Sequence, residues 1–210
     1  MSKPTECGFS MAEVLVSTAI FSLVTASVLA MVSSTHQSYN NQKSKNDVTW
    51  QGRTSVDLMV RELRLAGYPP RNRFATSTGL TSANSNLVAT TFLTATGTNV
   101  VFEADLDDNG VAERVEYRLN GTTLERSAAS KNTNGSAPAP QYETLATNLN
   151  NGATPLFSYG TDSLSALAFP GNVNSVRIVL LVRTPNPDPR NFQHQTLRFE
   201  AVAQRQNPDR

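Results

Sequence analysis

Hydrophobic positions at the start of the chain form one continuous run rather than a stripe. Residues 14–32 carry no charge, and residues 9–33 are apolar around the whole helix circumference apart from Glu13 and scattered Ser and Thr. An all-round apolar helix lies in lipid or among other helices. At 1.5 Å per residue the segment would be about 37 Å long, which spans the hydrocarbon of a bilayer. The pattern therefore predicts a membrane-spanning helix half over residues 9–33.

The next segment, residues 34–67, continues the predicted helix with a different pattern. It is polar up to Asn46, and then apolar or small residues recur at spacings of three and four. This stripe consists of Val48, Gly52, Val56, Met59, Leu63 and Ala66. The charged residues around it predict a solvated helix face: Arg53, Asp57, Arg61, Glu62 and Arg64. Gly67 is a candidate C-cap, and Pro69-Pro70 prevents continuation. This half is expected to pack on a globular head.

Residues 68–210 are predicted to form that head from β-strands. Short segments rich in β-branched or aromatic residues indicate strands, and the alternation is strongest over residues 173–183. The predicted strands are Asn86–Leu93, Asn99–Ala104, Arg114–Asn120, Thr123–Ser127, Val173–Arg183 and Gln195–Ala203. Residues 184–191 predict a loop, and the low-complexity residues 128–141 predict an exposed, mobile one. The expected fold class is α+β, with a long N-terminal helix packed on an antiparallel sheet.

Glu13 places a carboxylate just inside the apolar run, five residues after Gly8. A charge at the centre of a bilayer costs about 2.5–3.5 kcal/mol on insertion scales, so this carboxylate needs a partner. Cleavage after Gly8 would create one, the free α-amine of Phe9. A secretory signal peptide and a plain signal anchor are the alternatives. Signal peptides have a shorter apolar stretch of about 7–15 residues, and neither alternative explains the Gly8-Phe9 junction together with Glu13.

These residues resemble the N-terminus of type IV prepilins, which have a short polar leader, a Gly-Phe junction and Glu as the fifth mature residue. The segment Leu58–Tyr68 is similar to the helix end of PilW-type minor pilins. Leu156–Tyr159 and Val176–Ile178 are also similar to that family, with a weaker match. The resemblance implies a leader peptide over residues 1–8 that prepilin peptidase removes. It also implies N-methylation of Phe9, and pairing of Glu13 with the amine of its own or a neighbouring subunit.

The same resemblance implies a function and a location. The chain departs from major pilins because it has no C-terminal cysteine pair and no proline in the first helix, which favours a minor pilin that takes part in assembly or priming of a type IV pilus. Its expected partners are prepilin peptidase, other pilin subunits through the N-terminal helix, and inner-membrane lipid before assembly. The head would lie in the periplasm and later on the pilus. A type II secretion pseudopilin and an adhesive module at the membrane or pilus tip are the alternatives.

Composition and residue spacing argue against several other classes of function, such as nucleic-acid binding and catalysis. The net charge of +1 gives no reason to expect a nucleic acid partner. The single cysteine, Cys7, would leave with the leader, so no disulfide is expected in the mature chain. His36 and His194 are far apart in sequence and lack a nucleophile signature, and there is no phosphate-binding glycine loop. The sequence therefore predicts no enzymatic activity and no cofactor other than a candidate calcium ion.

That candidate is the segment from Asp105 to Glu116, which matches the calcium-loop pattern D-x-[DN]-x-[DN]-G-x₅-E. The pattern predicts five oxygen ligands. They are Asp105, Asp107, Asn109, the carbonyl of Val111 and Glu116. The flanking segments are predicted strands rather than helices. The alternative is a β-hairpin that turns at Asn109-Gly110 in a type I′ turn, with Glu116 simply lying along a strand.

Overall fold

The computed structural model describes residues 8, 10–74, 79–163, 167–188 and 191–206. The chain divides into two compact units, Met1–Lys43 and Ser44–Arg210. Most of the predicted leader and the predicted methylation site Phe9 lie outside the described residues.

Helix α1 runs over Met11–Arg64 and confirms the single long helix. All six stripe residues from Val48 to Ala66 are buried, whereas Arg53, Asp57, Arg61 and Arg64 are exposed. A turn follows the helix, and Gly67 adopts the left-handed φ of 83° expected of a helix-ending glycine, while its N–H donates to the Glu103 carbonyl. A Cβ at Gly67 would lie 2.6 Å from Thr91 Cγ2, so the close approach also requires glycine. A single 3₁₀ turn, Arg71–Arg73, comes next.

The described residues of the head form two antiparallel sheets. The first has five strands in the order β1-β2-β3-β4-β5, and the second has three in the order β6-β7-β8. The strands of the first sheet are β1 Phe92–Ala95, β2 Asn99–Ala104, β3 Glu113–Asn120, β4 Thr123–Ser130 and β5 Glu143–Ala146. Those of the second are β6 Phe157–Thr161, β7 Val173–Arg183 and β8 Thr196–Gln204. The expected α+β class with an antiparallel head is confirmed.

Most predicted strands occur where the pattern placed them. The bounds of β2 and β7 agree with the prediction, and those of β3, β4 and β8 differ by one to three residues. The strand predicted over residues 86–93 is wrong except at its last two residues, because residues 86–91 form bends and irregular backbone. Strands β5 and β6, with four and five residues, were not predicted.

One core joins the helix to both sheets. The stripe of α1 packs with buried side chains of the first sheet, such as Phe102 and Tyr117, and of the second, such as Ile178 and Leu180. Gly52 allows the closest approach, since a Cβ there would lie 2.3 Å from a ring carbon of Phe199. The head is thus built around one face of the second half of α1.

The prediction that all the charged residues of the second half of α1 are solvated is wrong for Glu62. It is 6% exposed, and its carboxylate accepts two hydrogen bonds from the Arg126 guanidinium, at 2.7 and 3.1 Å. The Tyr117 hydroxyl donates a third. Burial raises the pKa of Tyr117, and the charge of Glu62 raises it further, so the phenol stays protonated and remains a donor. Helical periodicity places position 62 on the same face as the buried Met59 and Leu63. This indicated that Glu62 is buried, but its charge led to the prediction of a solvated position.

The loop predicted over residues 128–141 is exposed at most positions after Lys131, but residues 128–130 belong to β4 and two residues of the loop are buried. Lys131 is 3% exposed, and its ammonium pairs with the buried Glu103 carboxylate at 3.0 Å. It also donates to the carbonyls of Ser82 and Val88. Gly135 is buried against the backbone of Ala83. A polar low-complexity composition does not reveal one buried lysine that holds the loop against the head.

Replacing Glu62 by alanine should strongly destabilise the head. The change leaves the Arg126 guanidinium and the Tyr117 hydroxyl largely buried without their carboxylate, which typically costs about 3 kcal/mol or more. Urea unfolding of the full chain in detergent, followed by circular dichroism, measures the loss. Asp57→Ala, one exposed acid on the same helix, is the matched control and should change the unfolding free energy by less than about 0.5 kcal/mol. Equal losses in the two variants would contradict the role of Glu62.

Candidate functional site

The N-terminus of α1 is the first candidate site. Gly8 and Glu13 are both exposed, and Phe9, between them, lies outside the described residues. The Ser10 backbone N–H donates to Glu13 Oε2 at 3.3 Å, and the Val14 N–H donates to the Ser10 carbonyl. Ser10 is therefore the N-cap, and Glu13 is the third residue of the helix, as in a capping box.

This capping interaction was visible in the sequence as Ser10-Met11-Ala12-Glu13 but was not predicted. A carboxylate in the first turn also interacts favourably with the helix dipole. Glu13 therefore has a local structural role besides any role in assembly. The cap involves only one carboxylate oxygen, Oε2.

The helix surface after Glu13 is apolar and exposed. The large side chains of residues 14–32 are between 46% and 73% exposed. They are Val14, Leu15, Val16, Ile20, Phe21, Leu23, Val24, Val28, Leu29, Met31 and Val32. A continuous apolar surface of this kind marks contact with a membrane or another protein. Helix α1 is long and apolar enough to cross a membrane.

Four of the five hydroxyl groups within residues 14–32 form hydrogen bonds inside the helix. Thr18, Ser22, Thr25 and Ser27 each donate to a backbone carbonyl three or four residues earlier. In hydrocarbon a polar group without a partner is costly, so this internal bonding fits a lipid or helix-bundle environment.

The second candidate site is the loop between β2 and β3. Asp105, Asp107 and Glu113 each offer a carboxylate oxygen, and these oxygens lie within 4.8 Å of one another. Asp105 and Glu113 are only 5% and 7% exposed, whereas Asp107 is exposed. Burial is the main cause that raises the pKa of Glu113, and the charges of Asp107 and Asp105 add to it, against the lowering effect of the Leu106 N–H.

Backbone hydrogen bonds hold the loop around these carboxylates. Asp105 accepts from the N–H groups of Asn109 and Gly110, at 3.2 and 2.8 Å, and Asn109 Oδ1 accepts from the Val111 N–H at 2.7 Å. Asp108 and Gly110 have φ values of 57° and 84°. The strands end at residues 104 and 113, so the loop is not the two-residue type I′ hairpin that was the alternative.

Glu116, the predicted last ligand, lies away from this cluster. The strand register places it opposite Val101, and its carboxylate accepts from the Asn99 side chain at 3.1 Å. Glu113 instead lies opposite Ala104, at the mouth of the loop. A helix after the loop would return the twelfth position to the centre, but an extended strand carries it about 10 Å further along. Spacing alone therefore did not predict which glutamate joins the two aspartates in the cluster.

Comparison with known proteins assigns the chain to a family. The family model described as prepilin peptidase-dependent protein B, PpdB, matches residues 41–198. The searches of curated proteins and of solved structures found no match. The matched region begins within α1, seven residues before Val48, and covers the head as far as the first three residues of β8, about three quarters of the chain. The chain therefore belongs to the PpdB family of prepilin peptidase-dependent proteins.

Proposed function

We propose that the protein is a minor pilin that takes part in assembly or priming of a type IV pilus. The observation that supports this most strongly is the exposed apolar surface of residues 14–32, which begins one residue after the charged Glu13. Before assembly the surface would lie in the inner membrane, with the head in the periplasm. In a filament the same surface would pack against the helices of other subunits. Membership of a prepilin peptidase-dependent family supports this role.

The proposal gives each N-terminal residue a chemical task. Gly8 is exposed and has no side chain, so a peptidase could bring its carbonyl close to catalytic groups. The new amine of Phe9 would be methylated and stay positively charged. Glu13 would pair with that amine on its own or a neighbouring subunit. In a low dielectric such a pair is sensitive to distance, so it would set the axial register of the helices.

Processing is the first test of this role. Cleavage between Gly8 and Phe9 followed by methylation should give a mature chain that begins with N-methylated Phe9. Peptide mass spectrometry of the protein purified from membranes of a strain with prepilin peptidase measures this directly. A peptidase-deficient strain is the control and should retain the leader. A mature chain that begins at Met1, or after Ala30 as a signal peptidase would leave it, would contradict the proposal.

Glu13→Gln separates the charge of this residue from its capping role. Glutamine at the third helical position also completes a capping box, so the helix start should be preserved while the charge is lost. Incorporation into sheared filaments, measured by immunoblot against the membrane pool, should fall at least tenfold for Glu13→Gln and for Glu13→Ala alike. Both variants should insert normally, because a costly charge has been removed.

The control for that experiment is Ser10→Ala, which changes the N-cap side chain and leaves both the charge of Glu13 and the Ser10 N–H that it binds in place. It should be incorporated at nearly the native level. Normal incorporation of Glu13→Gln would refute the register role of Glu13. Incorporation into a secretion pseudopilus, in place of a pilus, would favour the type II alternative.

We also propose that the β2–β3 loop binds calcium. The donor set of three carboxylates is composed of oxygens, which calcium prefers, and the loop holds them together. The residues that would hold the ion are Asp105, Asp107 and Glu113. Bound calcium would supply positive charge that offsets the repulsion among these groups.

Calcium should therefore stabilise the protein against heat. Extracellular sites of this kind have a Kd of about 10⁻⁴–10⁻³ M, so about 10 mM calcium should raise the Tm of the purified full chain by about 3–10 °C relative to chelator. Magnesium should raise it much less. Glu113→Gln should reduce the shift, whereas Glu116→Gln, the matched control from the same strand, should not. A wild-type Tm that is equal in calcium and chelator would refute the site.

A further inference from the structure

Strand β8 is the outer edge of the second sheet. β6, on the other side, adjoins the first sheet, because the Tyr159 hydroxyl donates to the Thr96 carbonyl and the Leu156 N–H donates to the Gly97 carbonyl. β8 pairs with β7 over its full length, from Thr196 to Gln204. Its other side therefore faces away from the first sheet.

The hydrogen bonds at both ends of the ladder show which backbone groups of β8 point outward. The Thr184 N–H donates to the Gln195 carbonyl, and the Arg205 N–H donates to the Asn174 carbonyl. Antiparallel pairing alternates, so the odd-numbered residues of β8 direct their backbone groups to β7. The even-numbered residues direct theirs outward, and all of them are exposed. They are Thr196, Arg198, Glu200, Val202 and Gln204. Among the described residues, none supplies a backbone partner to these groups.

This edge lacks several of the devices that usually prevent strand pairing. Edge strands are commonly short, bulged or interrupted by proline. The nine residues of β8 contain no proline, and its register with β7 has no irregularity. The other edge strands, β1, β5 and β6, have only four or five residues, and the pairing of each contains a register shift. Val202 on β8 is 60% exposed.

The surroundings of the edge define what could pair with it. On the inner face, Leu197, Phe199 and Ala201 are only partly buried against the core. Beside this face, the end of α1 and Gln206 form a groove that is lined by Asp57, Val60, Arg61, Arg64 and Leu65.

On the outer face, two guanidinium groups, those of Arg177 and Arg198, share one carboxylate, that of Glu200. The inner face of β8 is therefore apolar, with charged side chains of α1 at its margin. Its outer face has one more positive than negative group among these three.

We propose that the edge of β8 binds an extended strand of another protein, one that places apolar side chains inward and carboxylates outward. The strand would become the fourth of the second sheet by main-chain hydrogen bonding to the even-numbered residues. Its apolar side chains would cover Val60 and Phe199, and its carboxylates would lie beside Arg198 and Arg177.

A second copy of this chain fits the edge less well. Within the head, β8 runs in the same direction as α1, because Phe199 packs at Gly52 and the Gln206 N–H donates to the Arg64 carbonyl. Two copies whose α1 helices point the same way would therefore carry parallel β8 strands. Antiparallel pairing of two β8 edges would require the helices to point in opposite directions.

A pair of synthetic peptides tests the proposal with the purified full chain in detergent. The probe is a fluorescent nine-residue peptide that alternates Val and Glu, and its matched control replaces each Glu by Lys. Fluorescence anisotropy should show binding of the Glu peptide at least about tenfold tighter than binding of the Lys peptide. Arg198→Glu should reduce or reverse this preference. Equal binding of the two peptides, or a preference unaffected by Arg198→Glu, would overturn the charge argument.

Val202→Pro tests the backbone pairing itself. It removes one outward N–H while leaving the ladder with β7 complete, so the Glu peptide should bind about tenfold more weakly. Val202→Thr retains the N–H and should bind as the wild type does. A second measurement needs no substitution. Amide hydrogen exchange of the wild-type chain, measured by NMR, should be slowed by the peptide at the N–H groups of residues 198, 200 and 202 but not at those of residues 199 and 201. Exchange that is unchanged at the even residues would overturn the proposal, as would self-association of the chain through this edge that the Glu peptide cannot compete away.

Discussion

The head depends on burial of one face of α1 between two sheets. A three-stranded sheet such as β6-β7-β8 has little independent stability and needs a packed apolar face. That face is provided by α1 where Gly52 admits the ring of Phe199. Ten residues later, Glu62 binds Arg126 through both carboxylate oxygens and so fixes the helix to the first sheet. One contact is set by shape and the other by charge, and together they define the rotation of the helix relative to both sheets.

Periodicity was sufficient to predict the parts of the fold where burial repeats regularly. The stripe of α1 and the alternation along β7 were predicted because β7 buries one side along most of its length and α1 does so from Ser44 onward. The elements that were missed are short. β5 has four residues and shows little alternation, and residues 86–91 have strand-like composition but lie in bends. In such segments tertiary contacts decide the conformation, and local propensity carries too little information to compete.

The candidate sites show the same limit for charged residues. Spacing predicted that Asp105 and Asp107 lie together, because both are in one short loop. It failed for the third carboxylate of the cluster. The segment after the loop is a strand rather than a helix, so Glu113 lies at the mouth of the loop and Glu116 lies further along the strand. Composition gave no indication that Lys131 is buried, because its partner Glu103 is 28 residues distant in the chain. Long-range charge pairs of this kind become visible only once the strand register is known.

Glu13 caps its own helix and, in the proposed role, also binds an amine. Its carboxylate has enough acceptor positions for both interactions. The cap uses Oε2, which accepts from the Ser10 N–H, and thereby offsets part of the cost of placing a charge beside an apolar surface. An ionised carboxylate has about four acceptor positions, so most remain available after the cap forms. In hydrocarbon those positions need donors, and a cationic amine is the strongest that a processed chain would provide. The cap therefore orients the carboxylate at the helix end while leaving it able to bind the amine of a second helix, so that one residue can start its own helix and position the next.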